Sequence, residues 1–229
     1  MRSGRRLSAN PETSSTRDLI FGAAERLFAE HGFAAVTMRE IAAAAGLKNQ
    51  ASLYHHFRDK RALYEAVLAR GLNPIIALVI ESGRAGARAA ADSGRNRLGA
   101  FETVTDRLLD YLAEHPHLPR LIQRAGIDDS RYLHNAMTEL LLPLYSEGLS
   151  VLEGIAGPWQ VSDLPHVAIG IYHLIFGYFA DAALLEFLLQ ADPRSPAAVA
   201  RQRRFVKAAV AQLIGVATER GSEVRAHAS

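Results

Sequence analysis

The segment KNQASLYHHFRDK, Lys48 to Lys60, gathers five basic or imidazole side chains around the apolar pair Leu53 and Phe57. The chemistry within its reach is recognition of a polyanion. The Gln50 amide can bond two adjacent groups on an adenine edge. The Ser52 hydroxyl can donate or accept, and the Ala51 methyl can meet a thymine methyl. Tyr54, His56 and Lys60 carry groups that hold phosphate oxygens, Lys60 at a helix start where main-chain N–H groups also favour anions.

Such a set must be held on one face. At 100° per residue from Gln50, Leu53 and Phe57 fall on one side of a helix, and Ala51, Tyr54, His55 and Arg58 on the other. Two apolar anchors cannot keep so short a helix folded alone. It needs the helices before it. Ser15 with Asp18 has capping-box spacing and opens a helix whose apolar residues include Ile20, Ala23, Ala24, Leu27 and Phe28; Gly32 is placed to end it. Thr37 with Glu40 is a second capping box, opening a short helix from Met38 to Ala45 that Gly46 stops. Asn49 can cap a third helix, Gln50 to about Phe57. Asp59 can cap a fourth, from Lys60 to about Ile80, kinked near Gly71 and Pro74. Two short helices joined by a tight glycine turn, the second with a small and polar outer face, form the helix-turn-helix pattern. Its second helix enters the DNA major groove.

Charge supports that placement. Residues 1–70 hold 11 Lys/Arg against 7 Asp/Glu, whereas residues 71–229 hold 15 against 17. The excess of cations sits in the N-terminal third alone. A sequence-neutral architectural DNA binder would be basic throughout, and this chain is not.

Residues 16–67 closely resemble the DNA-binding domain of tetracycline-repressor (TetR) family regulators. The marks are the A-x-x-L-F-A-E-x-G-F run ending at Phe33, the T-M-R-E-I-A-A-A-A-G run ending at Gly46, and L-Y-H-H-F followed after one residue by D-K. The resemblance implies Gln50, Ala51, Ser52 and Arg39 as base readers. It implies Thr37, Tyr54, His56 and Lys60 as phosphate contacts. Many members have one residue fewer between the turn glycine and the Leu-Tyr pair, so Lys48, Asn49 and Gln50 compete here for the base-facing place.

The chain beyond residue 70 reads as helical throughout, giving an all-α protein. Ser82 to Asn96, rich in Gly, Ala and Arg, reads as a linker. Helical patterns cover about 97–114, 118–124, 129–155, 163–190 and 196–217. The expected organisation is a disordered basic arm (1–14), a three-helix helix-turn-helix domain (15–60), a helical ligand-binding and dimerisation body (61–218) and a disordered tail (219–229). The family resemblance implies that this body binds a small effector and dimerises through its last two long helices; DPRSP at Asp192 to Pro196 resembles their connection. The 163–190 helix is apolar nearly all round and so needs cover on more than one side, which a partner's equivalent helix can supply. Its apolar run, Val167 to Leu189, is long enough to span a membrane, but His173, Asp181 and Glu186 favour a helix buried in protein.

Candidate pocket residues are the aromatic and polar side chains Phe101, Tyr111, Tyr132, Met137, Tyr145, Tyr172, His173 and Phe176. An enzyme is disfavoured: there is no phosphate-binding glycine loop, no G-x-S-x-G and no paired metal-ligand motif among His115, His117, His134, His166 and His173. With no Cys, thiolate-held metals and disulfides are excluded. No cofactor and no metal are expected. The function expected from these features is a ligand-released repressor, working in the cytoplasm as a homodimer on a (pseudo)palindromic operator and answering to a small, largely apolar effector.

Overall fold

The computed structural model describes residues 15–89, 94–127 and 158–213, with 138–139, 142–143, 145–146, 148–149 and 152 between them. The expected arm (1–14) and tail (219–229), most of the 129–155 pattern, and Tyr132, Met137 and His134 lie outside the described residues. All regular structure among the described residues is helical.

Helix α1 (Thr16–Ala35) starts as the sequence predicts: the Ser15 side chain accepts from the Asp18 N–H at 3.2 Å. Gly32, at φ 81°, takes a left-handed conformation that interrupts the helix, and one more turn follows it. Helix α2 (Met38–Ala44) has a complete capping box. Glu40 N–H donates to Thr37 Oγ1 at 3.2 Å, and Thr37 N–H returns a 2.7 Å bond to the Glu40 carboxylate. The Thr37 hydroxyl, and then the Thr37 N–H, donate to the Glu40 carboxyl and hold it below its usual pKa. Gly46, at φ 70°, then turns the chain.

Helix α3 (Ala51–Tyr54) is shorter than the predicted Gln50–Phe57. The chain still coils as far as Phe57, whose N–H donates to Leu53 O at 3.0 Å. Asn49 is the side-chain cap, accepting from Ser52 N–H at 3.0 Å. Asp59 caps α4, accepting from Ala62 N–H at 2.7 Å, and that bond leads the lowering of its carboxyl pKa.

Helix α4 (Lys60–Ala89) runs well past the predicted end near Ile80 and carries Pro74 within it. The linker expected at Ser82–Asn96 is mostly helix, because α5 (Gly94–Glu114) begins only a few residues on. Alanine and arginine are strong helix formers, and here they outweigh the scattered glycines. Next comes α6 (Leu118–Ile127). The single 163–190 helix of the sequence reading is instead broken. A 3₁₀ turn (Val161–Asp163) leads into α7 (Leu164–Tyr172), a π turn (His173–Gly177) and the short α8 (Tyr178–Ala180). After a 75° bend at Asp181 comes α9 (Ala182–Leu189). Asp181, at ψ 23°, departs from helical geometry and resets the direction. Helix α10 (Pro196–Leu213) closes the described fold.

One buried apolar cluster runs from α1, α2 and α3 through α4 into α5, α6, the π turn and α10. Part of α4, Lys60–Gly83, is long and apolar enough to cross a membrane by length and composition. Its Leu63, Val67, Leu68, Leu72 and Ile75 are buried inside this protein cluster instead.

Candidate functional site

The recognition unit is fastened to α1 by aromatic contacts. Phe57 meets Phe21 edge-on with centroids 5.4 Å apart, and the Arg17 guanidinium lies over both rings. Leu53 is fully buried and Phe57 nearly so. This anchoring leaves Ala51, Tyr54, His55 and Arg58 exposed, as their place on the helical wheel requires, and His56 is exposed too. Lys48, Asn49 and Arg39 are exposed as well.

Several of these groups also hold one another. Gln50 Nε2 donates to the Tyr54 hydroxyl at 3.1 Å, so the two side chains lie along the same edge of α3. Ser52 Oγ donates to Asn49 Oδ1 at 3.2 Å. Asn49 is thus engaged through its oxygen in shaping the turn, while Gln50 extends along the helix. Thr37 Oγ1 donates to the Glu40 carboxylate at 2.8 Å.

Lys60 is turned inward. Its Nζ donates to Val36 O at 2.7 Å and to Ala34 O at 3.4 Å, and lies 4.4 Å from the Phe33 ring centroid. Burial lowers its pKa. The ammonium ties the start of α4 to the end of α1 and to the link between α1 and α2. The sequence gives no sign of this, since the partners lie 24 and 26 residues away.

A second feature lies in the body. A half-open cavity of about 680 Å³ lies between α4, α5, α6, α7 and the π turn. A smaller chamber of about 140 Å³ reaches between α4 and α5. The two share Val79, Leu108, Gly148, Ala168, Ile171 and Ile175. Of the sequence candidates, Tyr145, Tyr172, His173 and Phe176 border the larger space, and Phe101 borders the smaller. Tyr172 and Phe176 stack with centroids 4.8 Å apart, and burial raises the Tyr172 phenol pKa, keeping it a protonated donor. The π turn, a helix defect that re-aims side chains, supplies His173, Ile175 and Phe176 to the wall. Tyr111 borders neither space. Its hydroxyl donates to Gly71 O at 3.0 Å, in a shallow polar groove. The aliphatic walls, Ile75, Val79 and Ile122 among them, escaped the sequence reading because their spacing matches that of core residues.

Helix α6 joins the two features. Its Ile122, Gln123, Gly126 and Ile127 border the cavity. Its Leu118, Leu121 and Ala125 belong to the cluster shared with α1, and Arg124 donates to Glu30 O at 3.0 Å. Gly71 of α4 lies so close to Leu118 that an added Cβ would fall 2.2 Å from Leu118 Cδ1.

A capped helix, a glycine turn and a second short helix with an exposed amide-, hydroxyl- and imidazole-bearing face define a helix-turn-helix unit. Residues 20–67 match the family described as bacterial regulatory proteins, tetR family. The match is to the TetR DNA-binding domain and covers this N-terminal segment. Among characterised proteins, the transcriptional repressor AcnR of Corynebacterium diphtheriae is 35% identical over 75 residues, 33% of this chain and 39% of AcnR. The repressor KstR2 of Mycolicibacterium smegmatis is 42% identical over 57 residues, 25% of this chain and 27% of KstR2. The chain thus matches about two fifths or less of these relatives' length. Solved structures extend the likeness in fold. The fatty acid degradation regulator FadR of Bacillus halodurans superposes with a TM-score of 0.58 at 15% identity, covering 83% of this chain and 97% of FadR. Escherichia coli NemR in its reduced form gives 0.56 at 18%, covering 87% and 97%.

Proposed function

We propose that the protein is a cytoplasmic transcriptional repressor that binds a (pseudo)palindromic operator as a homodimer and is released by a small effector held in the α4–α7 cavity. It has no catalytic role in this reading. The observation that carries it is the pairing of an exposed recognition face with a mainly apolar cavity through one helix, α6.

Base reading is assigned to Gln50, Ala51, Ser52 and Arg39, and phosphate contact to Thr37, Tyr54 and His56. Lys60 contributes by holding the unit in place, with its ammonium near enough to the surface to reach a phosphate on docking. The two-fold axis is assigned to α9 and α10, where Leu184, Phe187 and Leu188 are 57%, 72% and 62% exposed. Apolar side chains at this density on one short helix call for cover, and a second copy covers them symmetrically. Two recognition units related by that axis would enter successive major grooves, about 34–36 Å apart or a multiple of it.

Effector release follows from linkage. A ligand that favours one setting of α6 weakens DNA binding only as far as DNA weakens the ligand. Selection of fragments from a genomic pool against excess random duplex tests the reading. An enriched inverted repeat supports it. Uniform retention of all fragments would point to a sequence-neutral binder.

A further inference from the structure

We propose that the effector is an uncharged, mainly apolar molecule carrying one hydroxyl or carbonyl oxygen, and that this oxygen pairs with the Thr105 hydroxyl. The inference rests on the cavity being the effector site.

Thr105 is 1% exposed and, the Tyr64 phenol apart, carries the one polar side chain that is buried among the described residues. Its Oγ1 has no hydrogen-bond partner among the described residues. A threonine within a helix normally bonds the carbonyl one turn back. Thr103, two residues earlier on α5, does so, donating to Gly99 O at 2.8 Å. Thr105 does not, and instead borders the smaller chamber with Ser82, Val79 and Phe101. A buried hydroxyl without a partner costs about 1–3 kcal/mol. A ligand oxygen in that chamber would remove the cost, so the site favours molecules that bring one.

The rest of the wall sets the ligand's other properties. The described lining of both chambers contains no Asp, Glu, Lys or Arg, and His173 is its single imidazole, in the larger chamber only. A carboxylate or ammonium beside Thr105 would find no opposite charge in this described lining, and burying it unpaired is strongly unfavourable. Isoleucines 75, 122 and 171, with Tyr172 and Phe176, suit an apolar body in the larger space. The linked chambers suit an elongated molecule with its oxygen at the narrow end.

Calorimetric titration of the full chain with 1-decanol, 1-fluorodecane and decanoate tests this. The wild type should bind decanol several-fold to about tenfold more tightly than fluorodecane, the worth of one hydrogen bond. Thr105→Val, which keeps the shape of the side chain, should abolish that preference while leaving fluorodecane binding unchanged. Thr105→Ser should retain it. The ligand-free Thr105→Val chain should melt no lower than the wild type. An undiminished preference in Thr105→Val would overturn the assignment, as would decanoate binding as tightly as decanol. A Thr105→Val chain that fails to fold would show the hydroxyl to be structural, which also overturns it. If neither decanol nor fluorodecane binds the wild type, the effector-site reading falls together with this one.

Discussion

Arg124 and Glu30 are joined across the two halves of the chain: the Arg124 guanidinium donates to the Glu30 main-chain oxygen at 3.0 Å. The bond fastens the helix that borders the cavity to the last turn of α1 before Gly32. Arg124→Ala should leave operator and effector affinities, each measured alone, within a few-fold of wild type. It should shrink the factor by which effector weakens DNA binding, a coupling of typically about 1–3 kcal/mol. Operator titrations with and without saturating effector read this directly. An unchanged coupling factor would remove Arg124 from the route.

Gly71 gives α6 its close seat on α4. An alanine there would press a methyl into Leu118, which is fully buried. Overpacking of this kind costs about 1–3 kcal/mol, offset by up to about 1 kcal/mol of helix propensity. Gly71→Ala should therefore lower the melting temperature. In a Leu118→Ala background the same change should be neutral or stabilising, a non-additivity that a double-mutant cycle detects.

Burial raises the Glu25 carboxyl pKa, against the opposing pull of His115 and Arg70. A carboxyl raised on folding binds more protons in the folded chain than in the unfolded one. Its contribution is therefore fully present below its ordinary pKa of about 4.5 and is lost as pH rises through the folded value. Glu25→Gln should be more stable than wild type near neutral pH and should flatten the decline above pH 4.5. Denaturant melts at a series of pH values would show it; a steeper decline in the variant would contradict the sign.

How much of this was legible in the chain depended on distance along it. The Ser15 and Thr37 caps, the Gly46 turn and the inward pair Leu53 and Phe57 are local patterns, set by neighbours three or four residues away, and the structure has them. The 75° break at Asp181 carries no proline, and the apolar residues on either side mask it. Lys60 looks like any helix-start lysine until its carbonyl partners fold beside it. Thr105 is one polar residue on an amphipathic helix, and its isolation exists only once α4 and α7 have closed over it.

The exposed apolar row on α9 predicts a dimer. Phe187→Glu or Leu184→Glu should give a monomer by sedimentation at micromolar concentration, where the wild type is dimeric. DNA affinity should fall sharply, because each half-site then binds alone. A wild-type chain that sediments as a monomer would place the two-fold axis elsewhere or remove it.

Sequence-specific DNA binding through α3 stands or falls with Gln50. Its amide lies along the exposed edge of the recognition unit, held by Tyr54 at 3.1 Å. Titrating Gln50→Ala against the selected operator and a random duplex, at several salt concentrations, separates base reading from charge. A cost of about 1–3 kcal/mol on the operator is predicted, with little loss on random DNA and an unchanged salt slope. Equal losses on both duplexes would contradict the placement of the recognition face.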